Sequence, residues 1–140
     1  MIKGPAARRG ILVSKQPKGH YLKSIYSAKR GIVFDLIAQD IASGRELFIE
    51  VKNQGVRGNA HERAYKHYTP LFQKKLREKT GLDYHPVATV MCGNLATDKH
   101  YQDQFEVMLE PEHCCLATSP EAVLEFFTVW FDKLQSDSSD

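Results

Sequence analysis

Asp35, Glu50 and Lys52 stand within otherwise apolar, strand-like stretches, VFDLIAQD and RELFIEVKN. Burying a charge without a partner is strongly unfavourable, so three such residues need a common reason, and a divalent cation supplies one. Phosphodiester hydrolysis requires a nucleophilic water, in-line attack, and stabilisation of the negative charge that accumulates at phosphorus and on the leaving oxygen. Two carboxylates holding Mg2+ meet the last need and help the first. The expected ligands are Asp35, Glu50 and the Val51 carbonyl, with water and a phosphate oxygen completing the mixed oxygen shell that magnesium prefers. Lys52 would orient the attacking water and stabilise charge. To serve as the base its ammonium must lose a proton, which needs a strongly depressed pKa, so the positioning role is the one assigned. An ExK triplet alone is common in strands whose charged pair faces solvent. What adds weight is the aspartate on the preceding strand. Asp40 and Glu46, nearer the turn, are expected to be solvated and are the alternates for a shifted register.

The elements that must position these residues follow from patterning. Residues 31–40, GIVFDLIAQD, are β-branched and apolar; after IASG, residues 45–53, RELFIEVKN, alternate as a strand does. Together they make a hairpin. With its turn centred between Ala42 and Ser43, residues whose numbers sum to 85 lie opposite, which places Asp35 beside Glu50. Lys52 shares the face of Glu50, because alternate residues of a strand point the same way. After the loop NQGVRG, Asn59 begins a helical segment with Ala64, Tyr68, Leu71 and Phe72 on one apolar face. It breaks at Thr69 and Pro70, a cap and a first helical residue, and a second helix runs to about Thr80 and ends at Gly81. Residues 86–92, PVATVMC, read as a buried strand, GNLATDKHYQDQF as a loop with at most a short helix, and residues 113–117 as another strand. Ser119, Pro120 and Glu121 then open a C-terminal helix. Its residues Val123, Phe126, Phe127 and Trp130 form one face while Leu124 and Phe131 point elsewhere, so a second covering surface is implied: the N-terminal segment or another subunit.

At 140 residues, with 42% hydrophobic and 26% charged residues, the chain has the size and composition of one layered, soluble domain. No apolar run approaches the roughly 18 residues of a membrane span, and the N-terminus has no hydrophobic leader. A cytoplasmic location is expected. Cys92, Cys114 and Cys115 form an odd count without CxxC spacing and read as reduced core residues. The net charge of +2 hides a gradient: through Arg30 there are eight Lys or Arg and no acid, whereas from Asp103 onward there are nine acids and one base, Lys133. A basic arm suits phosphate contact, and an ordinary solvated arm equally. Expected divisions are a basic, extended or mobile arm at 1–19 with GILV pairing at a sheet edge, a domain at 20–135, and a frayed tail at 136–140. Within that domain HYLKSIYS is read as either a strand or a helical turn. The histidines carry no metal spacing; His61 and His67 are read as partners or surface residues.

The arrangement of Asp35 followed by EVK at the end of the next strand resembles the PD-(D/E)xK nuclease core, with Phe34 where the motif's proline would stand. More selective is EVKNQG followed by GNAHERAYKH, which resembles the catalytic strand and recognition segment of type II restriction endonucleases of the EcoRI and MunI kind. The resemblance continues through YHPVATVMCGN and covers residues 31–94. It implies an α/β fold with a mixed central sheet flanked by helices, and a Mg2+-dependent, homodimeric DNA endonuclease cutting a palindrome that contains AATT and leaving a 5′-phosphate. By the same resemblance Asn59, Ala60 and Arg63 fall on base-reading positions, with Glu62 as an orienting or cross-subunit partner, Arg57 a candidate for an outer guanine, and Lys66 near phosphates. The chemistry agrees: an asparagine amide pairs with adenine N7 and N6, an arginine fork with purine acceptors, and an alanine methyl meets the thymine methyl. Taken without the resemblance, Asn59 reads as a helix cap and Arg63 as a solvated side chain. About thirty residues precede Asp35, so the N-terminal part of the family core is expected to be shortened. A shortened DNA-binding relative without cleavage, and a structure-reading repair or recombination nuclease, are the alternative readings.

Overall fold

Asp40 and Gly44 close the hairpin. In the computed structural model, which describes residues 2–15, 33–54 and 60–136, strand β2 (Leu36–Asp40) pairs antiparallel with β3 (Glu46–Gln54). Leu36 lies opposite Ile49, and Gln39 opposite Glu46, so the register is the one that the turn centre implies. The Asp40 carboxylate accepts the Ser43 backbone N–H at 3.1 Å and the Ser43 hydroxyl at 2.6 Å, and Gly44 adopts φ 77°, which only glycine takes without strain. Asp40 is therefore a buried turn residue, not a solvated one.

The sheet is mixed, in the order β1 to β5. Strand β1 (Ile11–Ser14) pairs antiparallel with the edge of β2, while β4 (Val87–Gly93) and β5 (Cys114–Leu116) extend the sheet in parallel on the other side of β3. Strand alternation gives β3 two faces. Leu47 and Ile49 face helices α1 (Lys3–Arg8) and α6 (Pro120–Gln135), packing with Ile2, Phe127 and Phe131. Phe48 points to the opposite side, against Phe72 and Leu76 of α3 (Pro70–Thr80). Beyond it, on the same side, Met91 packs with Ala64 of α2 (Ala60–Tyr65), Leu95 of α4 (Asn94–Thr97), and Tyr101 and Phe105 of α5 (Lys99–Met108). Glu50 and Lys52 lie in the Phe48 row, so the polar residues of β3 look toward α2 and α3.

Local signals act where expected at three helix ends. Thr69 accepts the Phe72 N–H at 3.3 Å, Gly81 ends α3 with φ 75°, and Ser119 accepts the Ala122 N–H at 3.1 Å. Three expectations change, and one open alternative is decided. Residues 2–15 of the supposed extended arm hold α1 and β1, the latter at the sheet edge where GILV was expected to pair. The stretch GNLATDKHYQDQF, read as a loop with at most a short helix, falls largely in α4 and α5, because Tyr101, Phe105 and Leu109 recur every four residues and bury one face. Leu71, assigned to the apolar face of its segment, is 61% exposed. The second covered side of α6 belongs to the N-terminal segment: the Arg9 guanidinium binds Asp132 at 2.6 Å and Gln135 at 3.0 Å and lies over the Phe131 ring. HYLKSIYS and residues 137–140 lie outside the described residues. The cysteines are free, and Cys115 is buried. Among the described residues no helix is long and apolar enough to cross a membrane.

Candidate functional site

Asp35 immediately precedes β2 and is exposed, while Glu50, on the central strand, is 8% exposed. The hairpin register brings their carboxyl groups together. Asp35 Oδ2 accepts the Val51 backbone N–H at 2.7 Å, which fixes the aspartate against β3, and the two carboxyl groups are themselves hydrogen-bonded. Lys52 Nζ stands 3.7 Å from Glu50 Oε1, its side chain largely buried. Burial pushes the Glu50 carboxyl up from 4.5 to about 8; the hydrogen bond that its protonated form donates to Asp35 and the charge of Asp35 push the same way, against Lys52 and Lys66. The Glu50 carboxyl, crowded against Asp35 on a buried strand, therefore keeps its proton near neutral pH. A divalent cation would replace that proton and relieve the repulsion between them, so this donor set fits a hard, oxygen-preferring metal such as magnesium.

The strand beside Glu50 is walled by aromatic side chains. Thr89, the parallel neighbour of Glu50, shares a 2.6 Å hydrogen bond with the Tyr68 hydroxyl. The Phe34 ring packs at a tilt against Phe48, centroids 5.4 Å apart, and against the His67 ring, 4.8 Å away. His67 and His85 are buried, and burial, with neighbouring cationic groups, drives both down to about 3, so both are neutral. His85 Nε2 donates to the His67 carbonyl at 2.7 Å, and His113 Nδ1 to the Val87 carbonyl at 2.7 Å. Neither His61 nor His67 is a surface residue: they are 4% and 1% exposed. The sequence signal was present for His61, which with Ala64, Tyr65 and Tyr68 has the spacing of one buried helical face.

The recognition segment is described from Ala60, the first residue of α2; Arg57 and Asn59 lie outside the described residues. Glu62 and Arg63 are exposed on α2, and Lys66 is exposed on the 3-10 turn that continues it. Lys66 contributes electrostatically at Glu50, which ties this turn to the carboxyl pair. A further set of metal-type donors, unmarked in the sequence reading, is Glu110, Glu112 and His113, whose ligand atoms lie within 4.8 Å of one another on the turn before β5. It is separated from β3 by two strand positions and borders a cavity of about 330 Å3 lined by Tyr68, Gln73, Glu106 and Leu109.

The family model described as type II restriction enzyme MunI matches residues 1–110. The chain belongs to the MunI family of type II restriction enzymes. In structure it is similar to the MunI restriction endonuclease solved in complex with cognate DNA, with a TM-score of 0.75 over 91% of this chain and 83% of that chain, at 19% identity. At that identity the likeness establishes the α/β restriction-endonuclease-like fold. No curated protein matches the chain significantly in sequence. As a member of the MunI family the protein is a DNA endonuclease.

Proposed function

We propose that this type II restriction enzyme is a Mg2+-dependent homodimer that cleaves double-stranded DNA at a palindrome containing AATT. The observation that carries the metal assignment is the Asp35–Glu50 pair. Its carboxyl groups touch, one of them is buried, and Lys52 lies 3.7 Å from that buried one. Asp35, Glu50 and the Val51 carbonyl would hold Mg2+, which supplies Lewis-acid stabilisation of the phosphate charge. The chain's own residues do the rest. The Val51 N–H holds Asp35 in place, Lys52 orients water for in-line attack, and the wall of Phe34, Phe48 and Tyr68 limits competing solvent.

Base reading is assigned to Asn59, Ala60 and Arg63, with Glu62 orienting Arg63, Arg57 toward an outer pair, and Lys66 against phosphate. Exposure of Glu62 and Arg63 on α2, and of Lys66 on the turn that continues it, supports this. A dimer accounts for a palindromic site, because two-fold protein symmetry mirrors two-fold DNA symmetry. The three free thiols suit the cytoplasm, where restriction acts.

The test is incubation of the purified protein with phage DNA at low salt, with Mg2+ or with EDTA, followed by sequencing of the ends. Discrete Mg2+-dependent fragments with 5′-phosphates and a shared AATT-containing palindrome are expected. Random nicks would replace base reading with shape reading, and binding without product under any divalent ion would make the chain a binding relative.

A further inference from the structure

The five residues 55–59, which separate the catalytic strand from the recognition helix, are bounded by Gln54 and by the first turn of α2. Both boundaries meet the same side chain. Gln54, the last residue of β3, donates from Nε2 to the Tyr101 hydroxyl at 2.6 Å, a buried hydrogen bond. On the other side His61 packs its ring edge-on to the Tyr101 ring, with centroids 4.8 Å apart, and onto Phe105 at 6.3 Å. Tyr101 is itself fixed: it lies on α5 and is packed with Met91 of β4, Ala64 of α2 and Leu95 of α4. The corner is closed from β4 as well. Gly93 has φ 62°, and a Cβ there would lie 2.7 Å from Asn53 Oδ1 and 2.9 Å from the Gln54 carbonyl oxygen, so β4 passes against the end of β3 with no room for a side chain.

We infer that Tyr101 is a positioning residue for specificity, tying the end of the catalytic strand to the start of the recognition helix through Gln54 and His61. The inference rests on the proposed base-reading role of residues 59–63. Lys52 is two residues before Gln54 and Arg63 two residues after His61, so one phenol sets the distance between the group that acts on the phosphate and the group that reads a base. A correct base contact is then felt at the scissile phosphate through a short, buried, packed path. Without the clamp the two groups would move independently, and a wrong base would be penalised less in the chemical step. The hydroxyl is the separable part. Tyr101→Phe keeps the ring against His61 and Phe105 and removes the hydroxyl that accepts from the Gln54 amide.

The experiment uses the full-length enzyme with Mg2+, on the cleavage site found by end sequencing and on duplexes differing from it at one base pair. Wild type, Tyr101→Phe, Gln54→Met and the double variant are compared in kcat, KM and urea unfolding. Gln54→Met keeps the volume of the side chain and carries the same test where Tyr101→Phe fails to fold. The expected result is a loss of discrimination of between about tenfold and about a hundredfold. That loss should lie in kcat and not KM, and the double variant should be no worse than either single one. Unchanged discrimination in folded Tyr101→Phe and Gln54→Met overturns the clamp, as does a loss shared equally by all duplexes. Lys52→Ala and Arg63→Ala are run beside them. Activity in Lys52→Ala would overturn the site, and unchanged discrimination in Arg63→Ala the base-reading role, so the three failures are distinguishable.

Discussion

Replacing Glu50 by glutamine should stabilise the metal-free protein, and only above mildly acidic pH. In the fold the Glu50 carboxyl titrates at about 8 in place of 4.5. Below about pH 4 both folded and unfolded chains carry the proton, and the substitution changes little. Between these two values the unfolded chain releases the proton and the folded one keeps it, so the folded state binds more protons and stability falls as pH rises. Above 8 the carboxylate is ionised in both states, and the whole cost is present. At about 1.4 kcal/mol per pH unit, raising the group from 4.5 to about 8 corresponds to roughly 5 kcal/mol. Solvent at the exposed Asp35 beside it screens part of this, leaving roughly 2–3 kcal/mol. Glutamine has the same shape and can donate an amide N–H to Asp35, so the substitution removes the ionisation and little else. Urea unfolding in EDTA at fixed protein concentration from pH 4 to 9 reads the effect: the two curves should coincide at pH 4 and separate progressively to pH 8. A wild-type protein as stable as Glu50→Gln at pH 9, or a difference constant with pH, would refute the reasoning. Magnesium should reverse the order, since the cation replaces the proton; its apparent affinity for wild type should rise about tenfold per pH unit below 8.

Lys52→Ala should fold, because its side chain pairs with Glu50 at 3.7 Å and fills no core cluster, yet lose cleavage by about a thousandfold; far-ultraviolet circular dichroism and a plasmid assay check both halves. Arg63→Ala should relax preference at one base position by about 1–3 kcal/mol and leave the others unchanged, read from cleavage of a degenerate duplex library. Gly93→Ala should cost at least about 1–3 kcal/mol in urea unfolding, since the residue is left-handed and the new methyl would meet Asn53 and the Gln54 backbone; a neutral substitution would show that this corner has room to give.

Much of the hairpin was legible because its causes are local. Alternation marked the strands, and ASG marked the turn centre; a two-residue side-chain period then left one register in which Phe48 and Ile49 face their own cores. The breaks at Thr69–Pro70 and Ser119–Pro120 were legible for the same reason, each being a cap followed by a residue that suits only a first turn. Helix α5 was not legible. The polar run KHYQDQ hides an apolar stripe of Tyr101, Phe105 and Leu109 that becomes one only when β4, α2 and α4 supply the surface it covers. The N-terminal segment was misread on charge: Arg8 and Arg9 suggested a solvated arm, but Ile2, Ala6, Ile11 and Val13 are buried against α6 and the sheet, and Arg9 has its own acid in Asp132.

The candidate site shows a different limit. Types and spacing named Asp35, Glu50 and Lys52, but not how unequal the two carboxyl groups are. That inequality comes from packing. Asp35 precedes the first paired residue of β2 and stays in solvent, whereas Glu50, opposite it, lies on the central strand with Thr89 of β4 on its other side, and Thr89 is bonded to the Tyr68 hydroxyl. The histidines follow the same logic. In sequence they look like polar residues without metal spacing. In the fold His67 and His85 are buried and neutral, His85 donating from its ring to the His67 carbonyl and His67 packing its ring against Phe34. A carboxyl held protonated in such a wall is poised to bind a cation in place of its proton. The exposed aspartate gives that cation a route in, and the wall makes its charge count, because electrostatic interactions strengthen where water is excluded.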